Sequence, residues 1–299
     1  MCGIVGLLVR DRALEADLGR HFAAMLEEMT ARGPDSSGMA IYDRDVPQGS
    51  LRWSLRGAGV TTNWAAVGAA VEAESGLPSQ LEAIDDVAFL VTAASREAVH
   101  EGLRLAADEQ ITVVGVGRAM KLIKDVGLPR EICEHYNVPA MTGYMALGHT
   151  RMATESAVTT DGAHPFSPSN DLALVHNGSF SNHASIRRQL LDAGVACLTD
   201  NDTEVAAQFI GYRMGQGDDL EEAMRHVLKE FDGFFTLVVT AERSFSVVRD
   251  AFACKPMVIA ETDAYVAVAS EYHALAGLPG IDDARVFEPH PEEIHTWIV

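Results

Sequence analysis

Basic residues are scarce in this chain, and the imbalance excludes two classes of partner. The 299 residues include 23 Lys and Arg against 43 Asp and Glu, which gives a formal net charge of −20 at pH 7. A negative field of this size repels phosphate backbones and anionic lipid head groups. We therefore expect no nucleic-acid partner and no membrane partner.

Long apolar runs and paired cysteines are also missing. No apolar stretch approaches the roughly 20 residues of a membrane span, and the N-terminus lacks the basic and apolar segments of a signal peptide. The spacing of the cysteines argues against a zinc site or a disulfide framework, and for a reducing compartment. We expect no metal, no other cofactor and a cytoplasmic location. The four cysteines are Cys2, Cys133, Cys197 and Cys254.

The rest of the composition, 47% hydrophobic and 22% charged, is that of an ordinary globular protein. Residues 39–43 and 51–57 are predicted to form a strand pair. A helix is predicted where Leu220, Met224 and Val227 recur at helical spacing, and short strands follow it to the end of the chain. Strands near both ends and helices between them favour an α+β layered sandwich over a wound parallel sheet.

The pattern changes between about residue 58 and residue 144. Residues 87–95 predict a strand, 96–109 a helix, 111–117 a strand and 118–127 a second helix. This β-α-β-α alternation predicts a small lobe (residues 58–144) inserted into the main domain.

The chain opens with Met-Cys-Gly-Ile-Val-Gly, which places Cys2 directly behind the initiator methionine. We expect Met1 to be removed, leaving Cys2 with a free α-amine. A thiol has an ordinary pKa of about 8.5 and an α-amine about 7.7–8.0, so one residue would carry both nucleophile and base. The alternative is a small hydrophobic side chain at the edge of a first strand, because free cysteine is most often simply buried.

Other polar motifs could serve such a nucleophile. Asn177 and Gly178 offer an amide and a backbone N–H as oxyanion donors, although Asn-Gly is also a common hairpin turn. Arg151 lies within a predicted strand, and its planar guanidinium suits a carboxylate. Asp202 stands at the start of a helix, where the alternative is plain N-capping by Asp202 or Thr203. A thiol, an arginine and an aspartate together describe a site for an amino acid that carries an amide.

Several motifs, in this order, resemble the class II glutamine amidotransferases, a family of N-terminal-nucleophile hydrolases. They are MCGIVG, RGPDSSG, GHTRMAT with AHPF behind it, LVHNGSF, NDTEV and the later RDAFACKPMVIAE…VAVASE. The resemblance runs from Met1 to Glu271, apart from the inserted lobe. It implies an amidotransferase domain over residues 1–299 that folds as a four-layer αββα sandwich.

The resemblance also implies a role for each residue of the site. Cys2 is the nucleophile and its freed amine the base, while Asn177 and Gly178 hold the oxyanion. Arg151 binds the α-carboxylate of glutamine, and Asp202 binds its α-ammonium group.

Two further residues are predicted on the substrate side of the site. These are Arg32, in the loop near the nucleophile, and His176, the first residue of the His-Asn-Gly motif. The chain departs from the family pattern at Met152 and Glu155, where synthase relatives often have Trp and His at the pocket rim. It also departs at Cys254, for which we expect a structural role.

The predicted reaction is hydrolysis of glutamine to glutamate and ammonia through a Cys2 γ-glutamyl thioester. No nucleotide-binding loop, flavin motif or iron–sulfur cysteine set follows the sandwich, so we expect separate synthase subunits, in a homo- or hetero-oligomer, to use the ammonia. The layout is similar to the amidotransferase subunit of glutamate-synthase-like complexes such as N-methylglutamate synthase. We expect the inserted lobe to dock a partner or to gate the active site. The alternatives are a glutaminase that acts alone, a lobe that only stabilises the fold, a subunit that binds glutamine or glutamate without turnover, and a hydrolase of another γ-glutamyl amide.

Overall fold

The computed structural model describes residues 2–57, 62–107, 111–152 and 158–299. Within these ranges the strands are β1 (Gly3–Val9), β2 (Ser36–Tyr42), β3 (Leu51–Arg56), β4 (Ser79–Ile84), β5 (Val87–Thr92), β6 (Thr112–Gly117), β7 (Met120–Val126), β8 (Met145–Arg151), β9 (Ala173–Phe180), β10 (Gly233–Ala241), β11 (Ser244–Arg249), β12 (Val258–Glu261), β13 (Tyr265–Ala269), β14 (Arg285–Phe287) and β15 (His295–Ile298). The α-helices are α1 (Leu18–Glu28), α2 (Trp64–Ser75), α3 (Arg96–Ala107), α4 (Pro129–His135), α5 (His183–Asp192), α6 (Asp202–Gly215) and α7 (Leu220–Glu230).

Two antiparallel sheets lie face to face at the centre of the molecule. The larger has the strand order β14-β12-β13-β1-β8-β2-β7, and the smaller has the order β15-β11-β10-β9. Successive side chains of a strand point to opposite faces. Thus Ile4 and Leu8 of β1 share an apolar cluster with Val175 and Val238 of the smaller sheet. The chain folds this way because both sheets have one apolar face to remove from water.

Helices cover the outer face of each central sheet. The opposite face of β1 packs with Phe22 and Met25 of α1. On the other side, helices α5 to α7 bury their apolar residues against β9 and β10. The predicted face of α7 is confirmed, and Asp219 begins that helix with a capping box. The four-layer αββα sandwich is therefore confirmed.

A third sheet, with the order β4-β5-β3-β6, forms the inserted lobe. Helices α2 and α3 cover one of its faces, around Trp53 and Leu90. The predicted succession of β5, α3 and β6 is confirmed, and the lobe as a whole runs β-α-β-β-α-β. Buried Arg52 joins the lobe to the main body through an ion pair with Asp43 (2.9 Å).

Two secondary-structure predictions are wrong. Residues 118–127 contain strand β7 instead of a helix, because this segment pairs with β2 at the edge of the larger sheet. Residues 39–43 and 51–57 do contain strands, but β2 pairs with β7 and β8, whereas β3 pairs with β5 and β6 in the lobe. The predicted lobe boundaries at 58 and 144 differ from the limits of the third sheet, because β3 lies before residue 58, whereas β7 and α4 belong to the main body.

Candidate active site

Cys2 lies just before β1, at the end of the larger sheet. Its side chain is half-buried, and Sγ lies 3.4 Å from the backbone nitrogen of Met152. Its carbonyl oxygen accepts hydrogen bonds from Arg32 Nε (2.9 Å) and Asn177 Nδ2 (3.0 Å). Three parts of the chain that are far apart in sequence therefore converge on this one residue.

The register of the larger sheet brings Arg151 to the same place. Gly3 lies opposite Thr150, so the next pair in this antiparallel register is Cys2 and Arg151. Arg151 is nine-tenths buried, and its guanidinium lies against Gly162, where an added Cβ would be 3.1 Å from Nη1. A buried guanidinium beside the nucleophile is well placed to pair with a carboxylate.

Asn177 and Gly178 lie in β9, the edge strand of the smaller sheet, close to where that strand ends at Phe180. Gly178 has φ of +139°, and a Cβ there would lie 2.0 Å from the Phe234 carbonyl oxygen, so its exposed backbone accepts only glycine. The Asn-Gly pair lies within strand β9, paired with β10, and the alternative of a hairpin turn is therefore wrong.

The Asn177 amide is held on both sides. Its Nδ2 donates to Cys2 and to Ser270 Oγ (3.2 Å), and its Oδ1 lies 3.1 Å from His149 Nε2. The same His149 nitrogen lies 3.1 Å from the His176 carbonyl oxygen. Both partners are acceptors, so we assign the proton of His149 to Nε2. His149 therefore fixes which end of the amide points towards Cys2.

Three buried histidines and one threonine continue this network. His164 Nδ1 lies 3.1 Å from His149 Nδ1, and Thr203 Oγ1 lies 2.8 Å from His164 Nε2 and 2.9 Å from His176 Nδ1. With His149 protonated at Nε2, the contacts of His149 Nδ1 with His164 and of Thr203 with both other histidines each have one donor if His164 and His176 carry their protons on Nδ1. His164 Nδ1 lies equally close (3.1 Å) to His149 Nε2, so its proton is directed to His149 Nδ1, the unprotonated nitrogen of that ring. The network then needs three neutral histidines.

Burial keeps these histidines neutral. Loss of solvation lowers the pKa of His149 to about 3 and that of His176 to about 4, although Asp202 partly opposes the shift at His176. The pKa of His164 is also well below its ordinary value, chiefly through burial and then through the neighbouring His149 and His176. The network therefore carries no charge at neutral pH.

Asp202 is the first residue of α6 and faces the end of β9. One carboxylate oxygen accepts the backbone N–H of Phe180 (3.0 Å), and the other lies 4.0 Å from His176 Nδ1. The N-cap of α6 is Asn201, whose side chain accepts the N–H of Thr203, so the alternative of capping by Asp202 or Thr203 is wrong. The Asp202 carboxylate is thus placed at the active-site end of the sheet without capping its own helix.

Arg32 and Glu271 brace the nucleophile. Besides its bond to the Cys2 carbonyl, Arg32 forms an ion pair with Glu271 (2.6 Å). Arg32 thus holds the backbone of Cys2, and its predicted contribution to substrate binding stays a prediction. Among the described residues, no group of three or more His, Cys, Asp or Glu side chains is arranged to hold a metal, and no helix is long and apolar enough to cross a bilayer.

Comparisons with known proteins agree with this geometry. The family described as the glutamine amidotransferase domain matches residues 137–288. The glutamine amidotransferase-like protein GlxB of Rhizobium meliloti is 45% identical over 99% of this chain and 98% of its own length. The chain belongs to the class II glutamine amidotransferases.

More distant relatives share the family or the fold. A protein of Methanothermobacter thermautotrophicus named as a putative glutamine amidotransferase is 29% identical over 99% of both chains. The solved structure of glutamine phosphoribosylpyrophosphate amidotransferase from B. subtilis has a TM-score of 0.62 at 19% identity. It aligns with 99% of this amidotransferase, which spans 47% of that longer chain. This likeness shows the fold alone.

The amidotransferase site contains residues to which the sequence analysis assigned no role. His149 and His164 lie inside the GHTR and AHPF motifs, and Ser270 and Glu271 close the VAVASE motif. Only the fold shows that these motif residues contact Asn177, Arg32 or each other. Glu155 and the expected removal of Met1 lie outside the described residues. His176 is buried against Thr203, and its predicted contribution to substrate binding stays a prediction.

Proposed function

We propose that this amidotransferase hydrolyses glutamine to glutamate and ammonia through a γ-glutamyl thioester on Cys2. The observation that carries the proposal is the convergence of Arg32 and the Asn177 amide on Cys2, next to Arg151 in the sheet register. Membership of the amidotransferase family supplies glutamine as the substrate.

Activation of the nucleophile uses one residue. Once Met1 has been removed, the α-amine of Cys2 takes the thiol proton, since its ordinary pKa lies close to neutral pH. The sulfur attacks the δ-carbonyl carbon of glutamine, forming the carbon–sulfur bond and a tetrahedral oxyanion. The ammonium group then gives its proton to the departing nitrogen, the carbon–nitrogen bond breaks, and ammonia leaves.

Asn177 Nδ2 and the Gly178 N–H stabilise the oxyanion. Both Nδ2 hydrogens have acceptors in this structure, Cys2 O and Ser270 Oγ, so substrate binding requires one of these bonds to be exchanged. Such a donor contributes about 2.7–4 kcal/mol to stabilisation of the transition state. A water molecule, deprotonated by the Cys2 amine, then cleaves the thioester and releases glutamate.

The two ends of the amino acid are bound by opposite charges. Arg151 pairs with the α-carboxylate, and Asp202 pairs with the α-ammonium group. Arg151 ends β8 of the larger sheet, whereas Asp202 begins α6 and contacts Phe180 at the end of β9 in the smaller sheet, so both sheets are needed to build the substrate site.

The reaction is tested by measuring glutamate and ammonia released from glutamine, together with the intact mass of the purified protein. We expect a mass without Met1 and turnover that falls at least 10³-fold in Cys2→Ala. Exposed Cys254 provides the matched control, and Cys254→Ala is expected to retain full turnover. A protein that retains Met1 and still hydrolyses glutamine would contradict the role of the α-amine.

A second part of the proposal concerns the ammonia acceptor. We propose separate synthase subunits in the cytoplasm, of the glutamate-synthase-like or N-methylglutamate synthase type, that dock on the inserted lobe. Leu105 of α3 is 58% exposed, an apolar side chain on the lobe surface. Leu105→Glu is expected to weaken co-purification with subunits encoded beside this chain, whereas Leu191→Glu, equally exposed on α5, is not. Equal recovery with both variants would contradict docking through this face of the lobe.

A binding subunit without turnover is the second candidate. One observation favours it. Both hydrogens of the Asn177 amide already have acceptors, so in this arrangement neither is directed at an oxyanion. Calorimetric binding of glutamine without release of ammonia, with and without partner subunits, would establish it. Comparison of glutamine with γ-glutamyl dipeptides separates the glutaminase from a hydrolase of other γ-glutamyl amides.

A further inference from the structure

A cavity of about 300 Å³ lies where the inserted lobe meets the main body. It shares no lining residue with the active site described above, and its volume is at the lower end of the range for small-molecule sites. Its walls are mixed, with apolar side chains from β6 and the main body and polar groups from α6 and the loop before it. The principal lining residues are Val113, Val114, Lys124, Phe166, Thr199 and Gln208.

Lys124 is the buried cation of this cavity. Its side chain is 7% exposed, and its ammonium group lies 4.5 Å from the centre of the Phe166 ring. Nζ donates to the carbonyl oxygen of Asp161 (3.1 Å), which is its hydrogen-bond acceptor within the part of the chain that the structure describes. An ammonium group has three N–H donors. Lys124 can therefore donate to a ligand while it keeps the bond to Asp161.

The charged groups around Lys124 limit the charge that a ligand of this cavity can carry. Glu204 also faces the cavity, but its carboxylate accepts three hydrogen bonds of 2.6 Å, from the N–H groups of Leu198 and Thr199 and from the Thr199 hydroxyl. Asp161, an exposed residue that also lines the cavity, adds a second carboxylate near Lys124, and Arg56 and Arg151 add positive charge from the lobe and the main body. With one available ammonium group beside two carboxylates, a ligand with a single negative charge is repelled less than a dianion. The Phe166 ring and the valines of β6 suit a small apolar body, since the cavity has the volume of about ten water molecules at ~30 Å³ each.

We propose that this cavity is an effector site for a small monocarboxylate with an aliphatic or aromatic body, held by Lys124. Burial lowers the pKa of Lys124 to about 8, so the ammonium form predominates at neutral pH and is lost above it. Binding of the carboxylate should therefore weaken between pH 7 and pH 9.

The segment 161–162 links this cavity to the glutamine site. The Asp161 carbonyl accepts from Lys124, the neighbouring Gly162 lies against the Arg151 guanidinium, and the Gly162 carbonyl accepts from Asn201 (3.4 Å). Asn201 caps the helix that begins with Asp202. A ligand that immobilises Lys124 and Asp161 therefore acts on a segment that touches Arg151 and the neighbour of Asp202, the two proposed anchors of glutamine.

Direct binding is the first test, and it does not depend on turnover. Calorimetry with isovalerate and benzoate is expected to show binding that is at least tenfold tighter than that of the neutral amides isovaleramide and benzamide. Lys124→Met should weaken carboxylate binding at least tenfold, while Lys229→Met, an exposed lysine on α7, should leave it unchanged. Gln208→Trp, which fills the cavity from α6, should abolish binding of both acids.

The second test measures coupling and rests on the proposed glutaminase function. A saturating carboxylate is expected to change KM for glutamine at least twofold in the parent protein and in Lys229→Met, but not in Lys124→Met. Equal binding of acids and amides, or undiminished binding to both Lys124→Met and Gln208→Trp, would overturn the site. Binding without any change in KM would overturn the coupling and leave the glutaminase proposal untouched.

Discussion

The space between the two central sheets is apolar at one end and polar at the other. At the apolar end Leu8, Val238 and Phe245 pack in one cluster with Tyr42, whose neutral hydroxyl is hydrogen-bonded to Thr240 (2.8 Å). At the other end, next to Cys2, the same two sheets enclose His149, His176 and the amide of Asn177. The apolar end stabilises the sandwich at any pH, whereas the polar end depends on the protonation and orientation of a few side chains. Stability and chemistry are thus separated along one interior.

The largest expected difference between the two ends is their contribution to the free energy of unfolding in acid, which changes only at the polar end. The folded-state pKa values of the three histidines lie below the 6.5 of the unfolded chain, so between pH 6.5 and pH 5 the unfolded chain binds more of their protons than the folded chain does. The free energy of unfolding should fall by about 2 kcal/mol per histidine between pH 7 and pH 5, about 6 kcal/mol in all. Denaturant titrations at several pH values measure this loss.

Exposed His290 supplies the control for the acid experiment, since His290→Asn should leave the pH dependence unchanged. Nitrogen NMR of the histidine rings should also show His149 protonated at Nε2 and untitrated down to pH 5. Ring signals of these three histidines that titrate near pH 6.5 would contradict a neutral buried network.

Removal of the Asn177 amide should affect turnover strongly. Asn177→Ala is expected to lower kcat for glutamine hydrolysis by about 10²–10³-fold, because the oxyanion loses a side-chain donor. Exposed Asn170→Ala is the matched control and should retain the parent rate. Retention of the parent kcat by Asn177→Ala would show that the amide serves only to hold Cys2 and Ser270.

A methyl group at Gly178 should destabilise the same end of the sandwich. Gly178→Ala is expected to lower the free energy of unfolding by about 3 kcal/mol, because the left-handed φ and the contact with the Phe234 carbonyl both oppose a side chain. Gly194 has φ of +84° with open space around it, so Gly194→Ala should lose only about 1 kcal/mol. Equal losses in the two variants would show that the close approach at Gly178 is relieved by movement of β10.

His149 should act on turnover through Asn177. His149→Leu is expected to lower kcat about tenfold with little change in KM, because the amide loses the donor that orients it. His149→Gln, which keeps an N–H donor, should recover part of the rate, and a purely structural role would give no such recovery. A change in KM alone would contradict the positioning role.

The smallest effect on stability and turnover is expected from a substitution at the apolar end. Ile259 is fully buried in the cluster between the sheets, and Ile259→Val should lower the free energy of unfolding by about 1 kcal/mol. Its kcat, KM and pH dependence should equal those of the parent. A marked change in kcat would show that the two ends are coupled through packing.

The order of motifs along the chain was enough to predict the family, whose resemblance implied the αββα sandwich, and the helical spacing of apolar residues predicted the face of α7. Each depends on residue types at fixed spacing, which a sequence displays directly. The local pattern gave the wrong element for residues 118–127. A segment this short fits a helix or a strand equally well, and the pairing of β7 with β2 makes it a strand. The local pattern failed again for β2 and β3, because strand partners depend on contacts between distant segments.

The chemical identities at the proposed site, a thiol, an amide, a guanidinium and a carboxylate, were determined by the sequence alone. Only the tertiary structure decided that His149 orients Asn177, that Arg32 holds Cys2, and that Lys124 lies in a cavity at the lobe. The physical reason is that hydrogen bonds and burial depend on distances between segments that are far apart in the sequence, such as Cys2 and Asn177, which are 175 residues apart. Those distances exist only once the two central sheets have packed together.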